Sequence, residues 1–149
     1  MREARRHRAL RAILEIREVE QVQARGALAD AERAERDARD AAARADDAVA
    51  KASRAWEDHL GQGNFSPELA QALAGQLRVQ AGESQTAARR AAAAASLRDE
   101  CETGWRKSDM RQRQAEQSLA VSRRALLHER EERVLEAVAD RTSFAWSRR

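Results

Sequence analysis

A chain of 149 residues with 36% charged side chains, only 3% aromatic ones and 34 alanines has too few bulky apolar groups for a layered globular core. The net charge of +3 hides closely mixed signs, since residues 1–60 carry 13 basic and 13 acidic side chains and only Lys51 and Lys107 of the 28 basic residues are lysines. A single cysteine, Cys101, leaves no internal disulfide and no cysteine-built zinc site, and no apolar run reaches membrane-spanning length.

Alanine and arginine are strong helix formers, whereas strand-favouring residues are scarce. The expectation is therefore all-α: a long two-helix antiparallel coiled-coil hairpin with unequal arms, elongated and forming one structural unit. Helix one is expected over residues 3–60, a hinge over 61–66 and helix two over 67–145. The arginine-rich start has no apolar signal core, so a cytoplasmic protein is expected.

Large apolar residues open the first helix at Leu10, Ile13, Leu14, Ile16, Val19 and Val22. Steps of three drift backward around a helix of 3.6 residues per turn, so this set wraps more than one face. It reads as a broad core stripe or as a second contact surface.

From Ala24 the pattern becomes one of alanines at 24, 27, 31, 34, 38, 41, 45, 48, 52 and 55, alternating steps of three and four. That is a heptad seam made of alanine alone. Glu32–Arg36, Glu35–Arg39, Asp40–Arg44 and Asp47–Lys51 are acid-before-base pairs that support the helix. Each alanine methyl contributes little on burial, on the order of 0.8 kcal/mol, so such a seam permits close approach and holds loosely.

The hinge is Gly61-Gln62-Gly63-Asn64-Phe65-Ser66-Pro67, which has the only proline of the chain. Ser66 suits the N-cap and Pro67 the first helical position. Gly61 or Gly63 is expected in the left-handed conformation that closes a preceding helix. Trp56, Leu60, Phe65, Leu69, Leu73 and Leu77 make the surroundings of this turn the richest apolar cluster, either a staple for the turn or a docking surface.

Along helix two a heptad runs through Leu73, Leu77, Gln80, Ser84, Ala87, Ala91, Ala94, Arg98, Cys101, Trp105, Ser108, Gln112, Ala115, Leu119, Ser122 and Leu126. Folding about the hinge pairs residues whose numbers add to about 127, which sets Gly26 beside Cys101 and Val22 beside Trp105. Residues 118–149 are then left as an overhang bearing Leu126, Leu127, Val134, Leu135 and Val138 at helical spacing. Such a stripe calls for self-association or for another protein. Arg2, Arg5, Arg6, Arg8, Arg141, Arg148 and Arg149 make the same end basic and steer it toward an acidic partner.

No phosphate-cradling glycine loop, nucleophile–His–carboxylate set or metal-ligand spacing is present, so neither an enzymatic role nor a cofactor is expected. Interspersed acids and the lack of aromatic interleaving count against nucleic acid as partner. A generic coiled-coil adaptor fits the composition without further requirements.

The layout resembles the FliJ family of flagellar type III export proteins and the related YscO-type proteins of virulence secretion. The points of contact are the basic start Arg8-Ala-Leu-Arg-Ala-Ile-Leu-Glu-Ile-Arg17 running into an alanine/charge helix, then the short hinge and a helix beginning near Leu69. Trp105-Arg106-Lys107 precedes a Gln/Arg-rich helix, and Glu131-Glu-Arg-Val-Leu-Glu-Ala-Val-Ala-Asp-Arg141 closes the pattern.

The resemblance implies a cytoplasmic coiled coil in flagellum biogenesis, similar to the γ-subunit stalk of rotary ATPases. It would sit at the cytoplasmic face of the secretion apparatus. Its partners would be the hexameric export ATPase, the membrane protein of the export gate and export chaperones, with no direct membrane insertion. On this chain the expected gate contacts are Trp56, Leu60, Leu69 and Leu73. The expected ATPase-ring contacts are Arg5, Arg8, Leu126, Leu127, Val134, Leu135, Val138 and Arg141.

Overall fold

The computed structural model describes residues 2–146. Arg148 and Arg149, read above as part of a basic end, lie outside the described residues. Two helices account for nearly all of the rest: α1, Arg2–Gly61, and α2, Pro67–Trp146. They pack against each other as an all-α helical hairpin of unequal arms, with no strand among the described residues. The packing gathers into two compact units, residues 25–104 and residues 1–24 with 105–149.

Burial follows one heptad line on each helix. On α1 the half-buried or buried positions include Leu10, Leu14, Arg17, Gln21, Ala24, Leu28, Ala31, Glu35, Ala38, Ala42, Ala45, Val49, Ala52, Trp56 and His59. On α2 they run from Ser66 through every position of the predicted heptad, Leu73 to Leu126, and on to Glu129. Among the described residues no large side chain is fully buried, as expected where only two helices meet.

The alanine seam of α1 needs correcting. Ala24, Ala31, Ala38, Ala41, Ala45, Ala48 and Ala52 are buried or half-buried as expected, but the line also takes in Leu28, Glu35, Ala42, Val49 and Trp56, one residue beyond the alternate alanines. Ala27, Ala34 and Ala55 are exposed. Alanine flanks both candidate lines, so its periodicity alone does not choose between them. Turning Leu28, Val49 and Trp56 inward removes more apolar area from water.

The register also differs from expectation, by about one helical turn. In the unit of residues 25–104, Ser84 Oγ donates to Asp46 at 2.5 Å and Arg98 Nε donates to Glu35 at 3.1 Å. Gly26 and Val22 are both exposed, and a Cβ built on Gly26 meets nothing within 4 Å, so no missing side chain makes room for Trp105. Glu3, His7 and Leu10 are half-buried as well, so with the shifted register the first turns of α1 also pack along α2, and the overhang starts after Glu129 rather than at residue 118.

Candidate functional site

Three features stand out as places where the chain can meet a partner or is specially built: the tip around residues 56–73, a charged node in the seam, and the C-terminal run of α2.

At the tip, Ser66 caps α2 as its position before Pro67 predicts. Its Oγ accepts the Leu69 N–H at 3.3 Å and donates to the Glu68 carboxylate at 3.0 Å. The Glu68 carboxyl is held below the usual carboxylate range by its own backbone N–H and by Ser66. Neither Gly61 nor Gly63 adopts a positive φ, which corrects the expected left-handed helix stop. His59 closes the turn instead. It is 6% exposed, its Nε2 lies 3.0 Å from the Ser66 carbonyl and 3.3 Å from the Ser66 nitrogen, and its ring stacks on Phe65 with centroids 5.7 Å apart. A side chain that reaches across the turn makes the glycine conformation unnecessary. Sequence reasoning passed over His59 because a lone histidine carries no spacing signal, although its place three residues after Trp56 on the heptad line marks it.

The four expected gate residues divide. Trp56 and Leu73 are half-buried on the seam, whereas Leu60 and Leu69 are 47% and 48% exposed, beside an exposed Phe65. The free surface of the tip is therefore built from Leu60, Phe65 and Leu69.

The charged node was not foreseen. Glu35, 6% exposed, pairs with Arg39 of its own helix at 2.6 Å and with Arg98 of α2 at 3.1 Å. Arg98 also reaches Asp99 at 3.0 Å and Glu102 at 3.2 Å. The hydrogen bond to Glu35, then the nearby Asp99 charge, hold the guanidinium more firmly protonated than usual. A carboxylate at an alanine-width seam is tolerated because each oxygen meets an arginine.

The expected ATPase-facing residues also fall into two groups. Leu126 is half-buried on the seam. Leu127, Val134, Leu135 and Val138 are 50–68% exposed, and Arg141 is exposed as well. Arg5 and Arg8 are exposed near the start of α1. That start lies along α2 at residues 114–123, since Arg6 shares a surface depression with Val121, and His7 shares another with Leu119 and Arg123. From there to Val138 is roughly 25 Å along a helix. The structure thus brings Arg5 and Arg8 together with the paired part of α2, not with Val134–Arg141.

The apolar start of α1 divides in the same way. Leu10 and Leu14 lie on the seam, and Ile13, Ile16, Val19 and Val22 are 43–67% exposed.

No family model, curated protein or solved structure matches this chain. Among the described residues no helix is long and apolar enough to cross a membrane.

Proposed function

We propose that the protein is a cytoplasmic, stalk-like coiled coil of a type III protein export apparatus of the flagellar kind, binding the export ATPase ring, the export gate and export chaperones. The observation that carries this reading is the run of α2 beyond Glu129. There the helix continues for more than four turns with every described side chain exposed, Val134, Leu135 and Val138 included. A helix that leaves its partner while keeping an apolar stripe is suited to entering another protein. The resemblance in layout to the FliJ family names that protein as the ATPase ring, with the exposed Leu60, Phe65 and Leu69 at the tip turned to the gate.

Deleting residues 130–149 tests the assignment, because it removes the exposed run and leaves the described seam in place. Loss of co-purification with the export ATPase, with helicity retained, is the expected result. ATPase binding at the level of the full chain would sink the reading. For the gate, Leu60→Ser with Leu69→Ser should weaken binding without lowering the unfolding temperature, because both side chains are already half exposed.

A further inference from the structure

The tip of the hairpin differs in charge from the rest of the chain. Residues 55–77 carry Glu57, Asp58 and Glu68 and no lysine or arginine, the longest stretch of the sequence without either. The net charge of the chain is +3, so everything outside this stretch carries +6 against its −3. All three carboxylates are exposed, and none is paired with a cationic side chain among the described residues. Ser53 Oγ donates to Glu57 and Ser66 Oγ to Glu68, both at 3.0 Å, whereas Asp58 has no hydrogen bond there at all.

Two of these carboxylates stand where a helix is least able to hold them. Glu57 and Asp58 lie at the C-terminal end of α1, where unpaired carbonyls already gather negative charge and lysine or arginine is favoured. The one basic side chain of that last turn is His59, which is buried and turned to Ser66. Trp56 and His59 face the seam, so Glu57 and Asp58, between them in sequence, project from the outer side of α1. The exposed Leu60, Phe65 and Leu69 share the same end of the unit of residues 25–104. An apolar surface is thus left open beside carboxylates that the helix itself disfavours. Both features are unfavourable in the chain alone, and one partner relieves both.

We propose that the tip docks end-on in an apolar socket edged by lysine or arginine side chains on the protein that receives it. Burial of Leu60, Phe65 and Leu69 supplies the apolar part of the contact. The basic edge turns Glu57 and Asp58 from a cost at the end of α1 into a cross-interface attraction, and it selects against sockets with an acidic edge. An anionic lipid surface would repel the same carboxylates, so the occupant is a protein and not the membrane beside it. Under the export reading that protein is the export gate. The proposal rests on that reading for the identity of the partner and on the tip itself for the chemistry of the socket.

The experiment measures binding of the full chain to the purified export-gate protein over a series of salt concentrations. Glu57→Gln with Asp58→Asn removes both charges and keeps an acceptor for Ser53. Affinity at low salt should fall at least about tenfold, and its dependence on salt should flatten. The unfolding temperature of the same variant should stay level or rise, since the repulsion at the end of α1 is gone. Opposite signs for binding and stability separate a docking role from a structural one. Asp37→Asn with Asp40→Asn removes two exposed charges away from the tip and should leave affinity unchanged. An equal loss from both pairs would reduce the effect to net charge and overturn the proposal. So would association of the parent chain, lost on Leu60→Ser with Leu69→Ser, with vesicles of phosphatidylcholine and phosphatidylglycerol. If Leu60→Ser with Leu69→Ser weakens gate binding and the neutralised pair does not, the gate reading stands and the basic socket falls. If neither pair changes gate binding, the gate reading itself has failed and the socket goes with it.

Discussion

The seams of the two units are secured by different means. Within residues 25–104 the buried positions are mostly alanine, and the polar groups that intrude have partners, Glu35 Oε1 an ion pair without a hydrogen bond. Glu35 is held by two arginines and Ser84 by Asp46, while His59 ties the turn together. Within residues 1–24 and 105–149, bulkier Leu10, Leu14, Trp105 and Leu119 share the seam with polar groups that lack partners. The hydroxyls of Ser108 and Ser122, the indole N–H of Trp105 and Nδ1 of His7 are all buried without a hydrogen bond. An unsatisfied buried group costs roughly 1–3 kcal/mol. The first seam is therefore narrow and well specified, and the second gains more from apolar burial but gives part of it back. The more conditional of the two pairings is the one that adjoins the exposed apolar surfaces.

The sharpest way to break this contrast is to widen the narrow seam. Ala31 is 5% exposed, the least exposed apolar side chain among the described residues of the seam. Ala31→Leu should destabilise by about 1–3 kcal/mol through overpacking. Ala27→Leu, on an exposed position four residues earlier, should fall within about 0.5 kcal/mol of the parent. Chemical denaturation of the two variants measures the difference. Equal losses would return the seam to the all-alanine line and remove the basis of the comparison.

That pair of variants also marks where sequence and structure part. The heptad of α2 was legible in full, because Leu73, Leu77, Trp105, Leu119 and Leu126 anchor the line at both ends and leave one choice of phase. On α1 the unbroken alanine periodicity pulled the phase off by one residue at alternate positions. Small side chains make two neighbouring lines nearly equal in energy, and only Leu28, Val49 and Trp56 break the tie. Register was the least legible feature. It depends on how His59 and Ser66 close the turn, and a turn that differs by a few residues shifts all pairings beyond it. The apolar run of α2 beyond Leu126 was visible in sequence as a stripe in search of a partner. The depressions that the start of α1 shares with residues 114–123 were not, since they are made by residues about 100 positions apart whose proximity requires the register.

The tip comes next in expected size. His59→Ala removes the contacts to both backbone groups of Ser66 and the stack on Phe65, and should lower stability by about 1–2 kcal/mol. The loss belongs to the unit of residues 25–104, so amide exchange there should quicken more than at residues 3–24. A uniform change would mean that the turn is not a local clamp.

On the looser seam the expected sign reverses. Ser122 is 4% exposed and Ser108 8%, and neither hydroxyl has a hydrogen-bond partner. Ser108→Ala and Ser122→Ala should each stabilise the chain by roughly 0.5–1 kcal/mol, because desolvation of an unused hydroxyl is removed and the small side chain is kept. Two stabilised variants would confirm that the buried hydroxyls of this unit are unsatisfied. Destabilisation by either would show that its hydroxyl has a partner in solution, and the contrast between the seams would narrow.

The smallest effect concerns Glu68 and pH. Its carboxyl is held below the ordinary value of 4.5, first by its own backbone N–H and then by the Ser66 hydroxyl. A carboxyl depressed in the folded state lends stability that is fully present above its unfolded pKa and lost as pH falls through the folded one. The side chain is exposed, so solvent screens most of the gain. The test is therefore a difference between two proteins rather than one titration. Glu68→Gln should be slightly less stable than the parent at neutral pH, because the charge next to the first turn of α2 is gone. Below the carboxylate range the parent is protonated too, and the two unfolding curves should converge. A gap that persists at low pH would place the contribution of Glu68 in its packing beside Ser66 and not in its charge.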